Sequence, residues 1–222
     1  MWAGGTMQWQ GGLELRVGDE VTEETRLLSA TAKKGKGGEM VLVEVEKRFS
    51  TARGVGLTDR RSWIFRPEIA HGLGNAGAGL NMDPNGRENL HKPTLIEEDG
   101  NGSPLTRRFR WSPVGLFRFS ALTFNGHKIH YDDGWAQNVE GHPGLVVHGP
   151  LNLINMIGYW RDTHAAEGAL PSEINYRAMA PIYAGEEYEI TRDGQPGSWE
   201  DGKTRILVNK QGGICMKGDI LG

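Results

Sequence analysis

The segment "FNGHKIHYDDGWA", Phe124 to Ala136, sets two histidines three residues apart beside an asparagine and an aspartate pair, in a chain with seven histidines in all. Those residue types support three readings: a metal site, an acid–base site, or a solvated loop. A metal would have His127, His130, Asp132, Asp133, His142 and His148 to choose from, but the spacing HKIH fits no common zinc signature, and this is the less favoured reading. Acid–base chemistry needs less. One imidazole with an ordinary pKa of about 6.5 both accepts and donates a proton near neutral pH, provided that a neighbour fixes its tautomer. His130 is placed for that role, delivered by an expected strand, "FRFSALTFN", to the start of a helical turn, "HYDDGWAQN". Asn125 can orient a water molecule but cannot take a proton from it.

A second element is "GLVVHGPL", Gly144 to Leu151. A glycine at the mouth of a helix exposes backbone N–H groups that have no partner inside the helix, and these bind developing negative charge. Gly149 is therefore a candidate oxyanion donor. The plainer reading is that it only opens a structural helix, which Pro150 suits because the first helical position needs no N–H. Leu151, Ile154, Ile157 and Tyr159 make that helix largely apolar, so it is expected to be buried.

The elements that must carry these residues fall into two halves. Residues 1–69 read as an antiparallel sheet: "EMVLVEVEKRF" alternates with period two, and "EVTEETRLLSATAKK" and "GVGLTDRRSWIFR" flank it as further strands. Residues 70–110, dense in Gly, Asn, Asp and Pro, read as a linker. His71 and His91 are expected to be solvated there, and Arg107, Arg108 and Arg110 to form a solvated face unless they meet a phosphate. Residues 111–222 hold the histidine segment, the apolar helix, whose exposed end is expected at His164, and the strands "SEINYRAMAPIYAGEEYEITRD", "KTRILVNKQ" and "GGICMKGDIL". "LRVGDEV" and "IYAGEEY" share a pattern that aligns Gly18 with Gly185, a weak internal repeat. The second copy is preceded by a buried helix that the first lacks. A sheet wrapped on a buried helix, present twice, describes an α+β double hotdog of two antiparallel sheets.

A net charge of -3 with mixed signs offers no basic stripe for nucleic acid or polybasic segment for a membrane surface. One cysteine, Cys215, cannot form an internal disulfide and favours a reducing compartment. No apolar run reaches the length of a membrane span.

Taken together, "FSALTFNGHKIHYDDGWA" and "GLVVHGPL" resemble the MaoC-like, type 2 enoyl-thioester hydratases, whose signature D-x-N-P-[LIV]-H-x5-[AS] is matched in register by Ile129, His130 and Ala136. The opening "MWAGG" and the stretches "KKGKGGEMVLVEV", "YRAMAPIYAGE" and "CMKGD" look like the subgroup of mitochondrial 3-hydroxyacyl-thioester dehydratases and mesaconyl-C4-CoA and itaconyl-CoA hydratases. The resemblance implies addition or removal of water across the 2,3 bond of an enoyl or 3-hydroxyacyl thioester, presented on CoA or a carrier protein, without metal or cofactor. It makes His130 the acid–base residue, assisted by Asp132 or Tyr131, and Gly149 the oxyanion donor. Asn125 stands where the wider family has its catalytic Asp. Gly144, Val147, His148, Tyr131 and Trp2 would line the substrate site. Family members carry the first unit's helix upstream of "MWAGG", so the N-terminal unit is expected to lack it, and the chain reads as a truncated gene model, a pseudo-enzyme or a natural short form. The alternatives are a non-catalytic hotdog that binds acyl thioesters or pairs with an intact partner, and a thioesterase. A homodimer and a mitochondrial or cytoplasmic setting complete the expectations.

Overall fold

Period-two sequence makes most of the molecule extended, and every strand pairing in it is antiparallel. The computed structural model describes residues 2–35, 38–67, 83–99, 106–163, 170–194 and 202–222. His71 and His164 lie outside them. The elements are β1 (Trp2–Trp9), β2 (Thr22–Gly35), β3 (Gly38–Thr51), β4 (Gly54–Phe65), α1 (Pro84–Glu88), β5 (Leu95–Asp99), β6 (Thr106–Arg110), α2 (Pro113–Leu122), a 3-10 turn (Lys128–His130), α3 (Asp133–Asn138), α4 (Gly149–Thr163), β7 (Glu173–Ala178), β8 (Glu187–Arg192), β9 (Lys203–Lys210) and β10 (Gly213–Leu221).

Where two sheets were expected, there is one. Its strand order is β2-β3-β4-β1-β7-β10-β9-β8-β6-β5. The left half, β2-β3-β4-β1, is mirrored in order by β8-β9-β10-β7, so the weak sequence repeat is a repeat of topology. Gly18 and Gly185 each take a positive φ, 99° and 82°, in the turn that launches β2 and β8, the left-handed conformation that glycine adopts without steric cost.

The halves join where β1 pairs with β4 on one side and β7 on the other. "WAGGTMQW" shows no strand alternation, and its extended state comes from this two-sided pairing. Gly5 serves the seam: a Cβ there would lie 2.1 Å from the Arg60 carbonyl oxygen and 2.6 Å from the Tyr176 hydroxyl. Trp2 stacks on Tyr176 with centroids 4.8 Å apart.

Three further sequence expectations are corrected. "FRFSALTFN" is not a strand: its first part lies in helix α2, with Ser112 as N-cap accepting from the Gly115 N–H at 3.1 Å and Pro113 in the first turn. That Ser-Pro pair is a helix-start signal, outweighed in the sequence by the β-forming aromatics Phe117 and Phe119. The span read as linker contains α1, β5 and β6 among its described residues, and β6 pairs with β8. Its arginines are pinned within the structure: Arg107 to Glu98 and Asp162, Arg108 to Glu189, Arg110 to Glu187. In β3, Val41 is exposed while Glu46 is buried between Arg48 and Arg60. His91 is exposed, as read from sequence, and Cys215 is buried.

The core lies against the second half. Leu151, Met156, Tyr159 and Trp160 of α4 are buried with Ile174, Tyr188, Ile190, Ile206 and Val208 of the strands. A buried chain of hydrogen bonds ties α4 to the sheet, from Trp111 Nε1 to Tyr188 Oη at 2.8 Å and from Tyr188 Oη to Asn152 Oδ1 at 2.6 Å. On the first half Leu27, Leu28, Val41 and Phe65 remain exposed.

Candidate active site

Two chain segments meet in an exchange of hydrogen bonds. The Val146 N–H donates to the Ile129 carbonyl at 2.9 Å, and His130 Nδ1–H donates to the Val146 carbonyl at 2.7 Å. The second bond fixes the tautomer, so that Nε2 carries the lone pair. Val146 is itself held by a bridge to Tyr183, flanked by the bonds from Val147 N to Ile182 O and from Ala184 N to Leu145 O, both 2.8 Å. The "GLVVHG" segment is therefore seated on the "IYAGE" turn, with Gly144 buried at its start.

His148 lies against His130, their rings stacked at 3.6 Å between centroids and 18° between planes. Gly149 follows as the first residue of α4. Its missing side chain is required by Trp2, because a Cβ there would sit 2.3 Å from the indole. Trp2, Gly149, His148 and His130 thus form one contiguous cluster drawn from β1, the start of α4 with the residue before it, and the 3-10 turn.

The other candidates hold this cluster in place. Asn125 Oδ1 accepts from the His127 N–H at 3.1 Å, and His127 Nε2–H donates to Glu140 at 2.7 Å. The His127 ring meets His130 edge-on at 5.7 Å. Tyr131 Oη donates to the Gly126 carbonyl at 2.9 Å, closing the loop. Asp132 Oδ1 caps α3 by accepting from the Trp135 N–H at 2.9 Å. Sequence reasoning missed Ser120, whose hydroxyl is 2.9 Å from His148 Nε2, as well as the Val146 carbonyl and Glu140. A serine in an apolar run was the one available signal, and it was hidden by reading α2 as a strand. Among the described residues no three His, Cys, Asp or Glu side chains converge in a way that could hold a metal ion.

Burial sets the electrostatics. It pushes His130 down to about 4, with the Val146 bond and Glu140 acting upward and His127 and His142 downward. It pushes His148 down to about 3, and charge on His130 adds to this. His142 is lowered too, again mainly by burial. For Glu140 burial acts upward but is outweighed by the hydrogen bonds from His127 and Trp135, and its pKa is lowered. A neutral His130 with its Nε2 lone pair available is a base at neutral pH.

These shifts carry a stability consequence. Unfolded histidines titrate near 6.5, about 2.5 units above folded His130, so acid protonates the unfolded chain first. The stability held by the neutral rings is fully present above about pH 6.5 and is lost as pH falls through the folded values, at about 1.4 kcal/mol per pH unit for each ring. Urea midpoints measured from pH 7 to 4.5, where most carboxylates are still ionised, should fall steadily. A flat profile would contradict buried neutral histidines.

The approach to Asn125 stores strain. The Phe124 N–H donates to the Ala121 carbonyl and the Asn125 N–H to the Ser120 carbonyl, the Schellman termination of α2 that normally uses glycine. Here Phe124 adopts a φ of 52° with its side chain 97% exposed. Phe124→Gly loses no packing and relieves the left-handed strain, offset in part by unfolded-state entropy, so it should stabilise the fold by about 0.5–1 kcal/mol in urea denaturation.

The model of the hydroxyacyl-thioester dehydratase type 2 family matches residues 1–184. The chain belongs to that family. It is 30% identical over 169 residues to the mesaconyl-C(4)-CoA hydratase of Chloroflexus aurantiacus, covering 76% of this chain and 53% of the relative. It is 30% identical over 99 residues to the mitochondrial hydroxyacyl-thioester dehydratase type 2 of Schizosaccharomyces pombe, covering 45% of this chain and 33% of that one. The chain therefore spans about half and one third of the lengths of these curated relatives. Among solved structures, HtdX from Mycobacterium tuberculosis superposes with a TM-score of 0.68 at 13% identity, covering 100% of this chain and 76% of that one. A second M. tuberculosis protein, described as a double hotdog, gives 0.56 at 14% identity, covering 98% and 73%. At such identities the two structures speak to fold alone, and the fold of this type 2 dehydratase family member is the α+β double hotdog.

Proposed function

We propose that this chain adds or removes water across the 2,3 bond of an enoyl or 3-hydroxyacyl thioester carried on CoA or a carrier protein. The observation that carries this reading is the bond from His130 Nδ1–H to the Val146 carbonyl, 2.7 Å, beside the start of α4. It leaves Nε2 of a neutral imidazole as the base next to a helix N-terminus that receives negative charge.

In the dehydration direction, Nε2 of His130 removes the C2 proton of the 3-hydroxyacyl thioester. The electron pair develops on the thioester oxygen, held by the Gly149 N–H, and returns to form the C2–C3 double bond as the C3–O bond breaks. The departing hydroxide takes the proton back from His130 and leaves as water. Asn125 orients that water by hydrogen bonding, without a proton transfer of its own. Trp2, Gly144, Val147 and His148 form the surrounding wall, Tyr131 closes the 126–131 loop, and Asp132 acts by seating α3. No metal or cofactor enters these steps.

A thioesterase would need a carboxylate to activate water. The nearby ones are engaged: Asp132 caps α3, Asp133 accepts from Gln137 and Glu140 from His127. A second reading rests on the exposed Leu27, Leu28, Val41 and Phe65: a hotdog that binds thioesters without turnover and covers this face with a second copy or an intact partner. Among the described residues no helix is long and apolar enough to cross a membrane, and a mitochondrial or cytoplasmic setting fits either reading. The deciding experiment adds purified protein to crotonyl-CoA and to mesaconyl-CoA and follows the conjugated-enoyl absorbance. Its loss supports the hydratase; a folded protein that changes neither substrate supports the binding reading.

A further inference from the structure

His148 takes no proton in the path above, yet it is fully buried. Its Nε2 lies 2.9 Å from Ser120 Oγ on α2, Phe119 of the same helix meets the ring edge-on at 4.8 Å, and among the described residues its Nδ1 has no hydrogen-bond partner. One ring face is given to His130, 3.6 Å away. One helix, α2, therefore sets the orientation of a ring whose visible contact with the chemistry is another ring.

We infer that His148 is a positioning residue: anchored by Ser120, it holds the His130 imidazole in the plane where Nδ1–H meets the Val146 carbonyl, and it keeps water off that ring's face. The catalytic part of this inference rests on the proposed function, while the effect on His130 does not. The groups facing the pair are His127 from the loop after α2, Glu140 and His142 from the segment after α3, and, beyond His142, Arg66 at the end of β4. Ser120 and Phe119, from α2, carry no charge. With so little compensating negative charge, two stacked imidazoles take up one proton and resist a second, so their titrations are coupled. When His130 carries the proton in turnover, the face of a neutral His148 lies against the imidazolium, an attractive arrangement.

The test is an NMR titration of the His130 ring in the intact chain, with His148→Ala, His148→Phe and Ser120→Ala, beside the pH dependence of kcat/KM. Wild-type His130 should stay neutral, Nδ1-protonated, down to about pH 4. His148→Ala admits water to the ring face and should raise the His130 midpoint, and with it the acid limb of kcat/KM, by about one pH unit or more. It should also lower kcat about tenfold or more with KM little changed. His148→Phe keeps the face covered, so the midpoint should remain low and part of kcat return. A folded His148→Ala chain with an unchanged His130 tautomer and midpoint would overturn the inference. Should His148→Ala fail to fold, Ser120→Ala decides: a smaller upward shift supports the inference, and an unchanged titration overturns it. If the wild type proves inactive, the titrations still decide the role of His148 and the proposed function alone fails.

Discussion

His130→Ala should lower kcat/KM for enoyl-thioester hydration by about 10²–10⁴-fold, the usual contribution of a positioned general base. The size follows from the absence of a substitute. His148 is bonded to Ser120 and, pushed down to about 3 by burial, is a weaker base; His127 is paired with Glu140. Asn125 has no proton to exchange. The substitution should spare the fold, since the Val146 N–H to Ile129 O bond joining the two segments belongs to the backbone and Ile129 remains buried. Steady-state kinetics and far-UV circular dichroism on the same preparation separate the two effects. A loss below about tenfold in a folded protein would remove His130 from the proton path.

Glu186→Ala should destabilise the fold by about 3–5 kcal/mol, the usual cost of breaking a buried ion pair from one side. The carboxylate is fully buried and satisfies three donors: the Asp83 N–H at 2.9 Å, the Tyr183 N–H at 2.8 Å and Lys210 Nζ at 2.8 Å. Alanine would leave an enclosed ammonium and two backbone donors without their acceptor. The damage should reach the site, because Glu186 closes the Tyr183 turn on which Val146 sits, and the Val146 carbonyl orients His130. Glu186→Gln keeps an acceptor oxygen and should lose less. Urea denaturation with a kcat measurement well below the midpoint tests both parts: a variant as stable as wild type would show that the turn is held by other contacts.

Local pattern carried much of the architecture. Period-two alternation marks β3 as a strand, and Pro150 before an apolar run marks α4. The matching of Gly18 to Gly185 foreshadowed the doubled topology because the same left-handed turn is needed twice. The spacing from His130 to Ala136 pointed, by resemblance to a known family, to the segment proposed to be catalytic. Tertiary structure decided the rest. β1 is a strand only because β4 and β7 pair with it, and β6, rich in arginine, because Glu187 and Glu189 lie across from it on β8. α2 is a helix despite strand-forming aromatics because its Ser112 cap and the packing of buried Leu116 and Ser120 outweigh propensity. In the site, the tautomer of His130 depends on a backbone carbonyl 16 residues away, its stacking partner is anchored by a serine 28 residues from that partner, and the glycine at Gly149 is required by a tryptophan on β1. A side-chain period reports which face is buried. It carries no record of which distant atom closes on which, and that contact decides which ring nitrogen of His130 holds the lone pair.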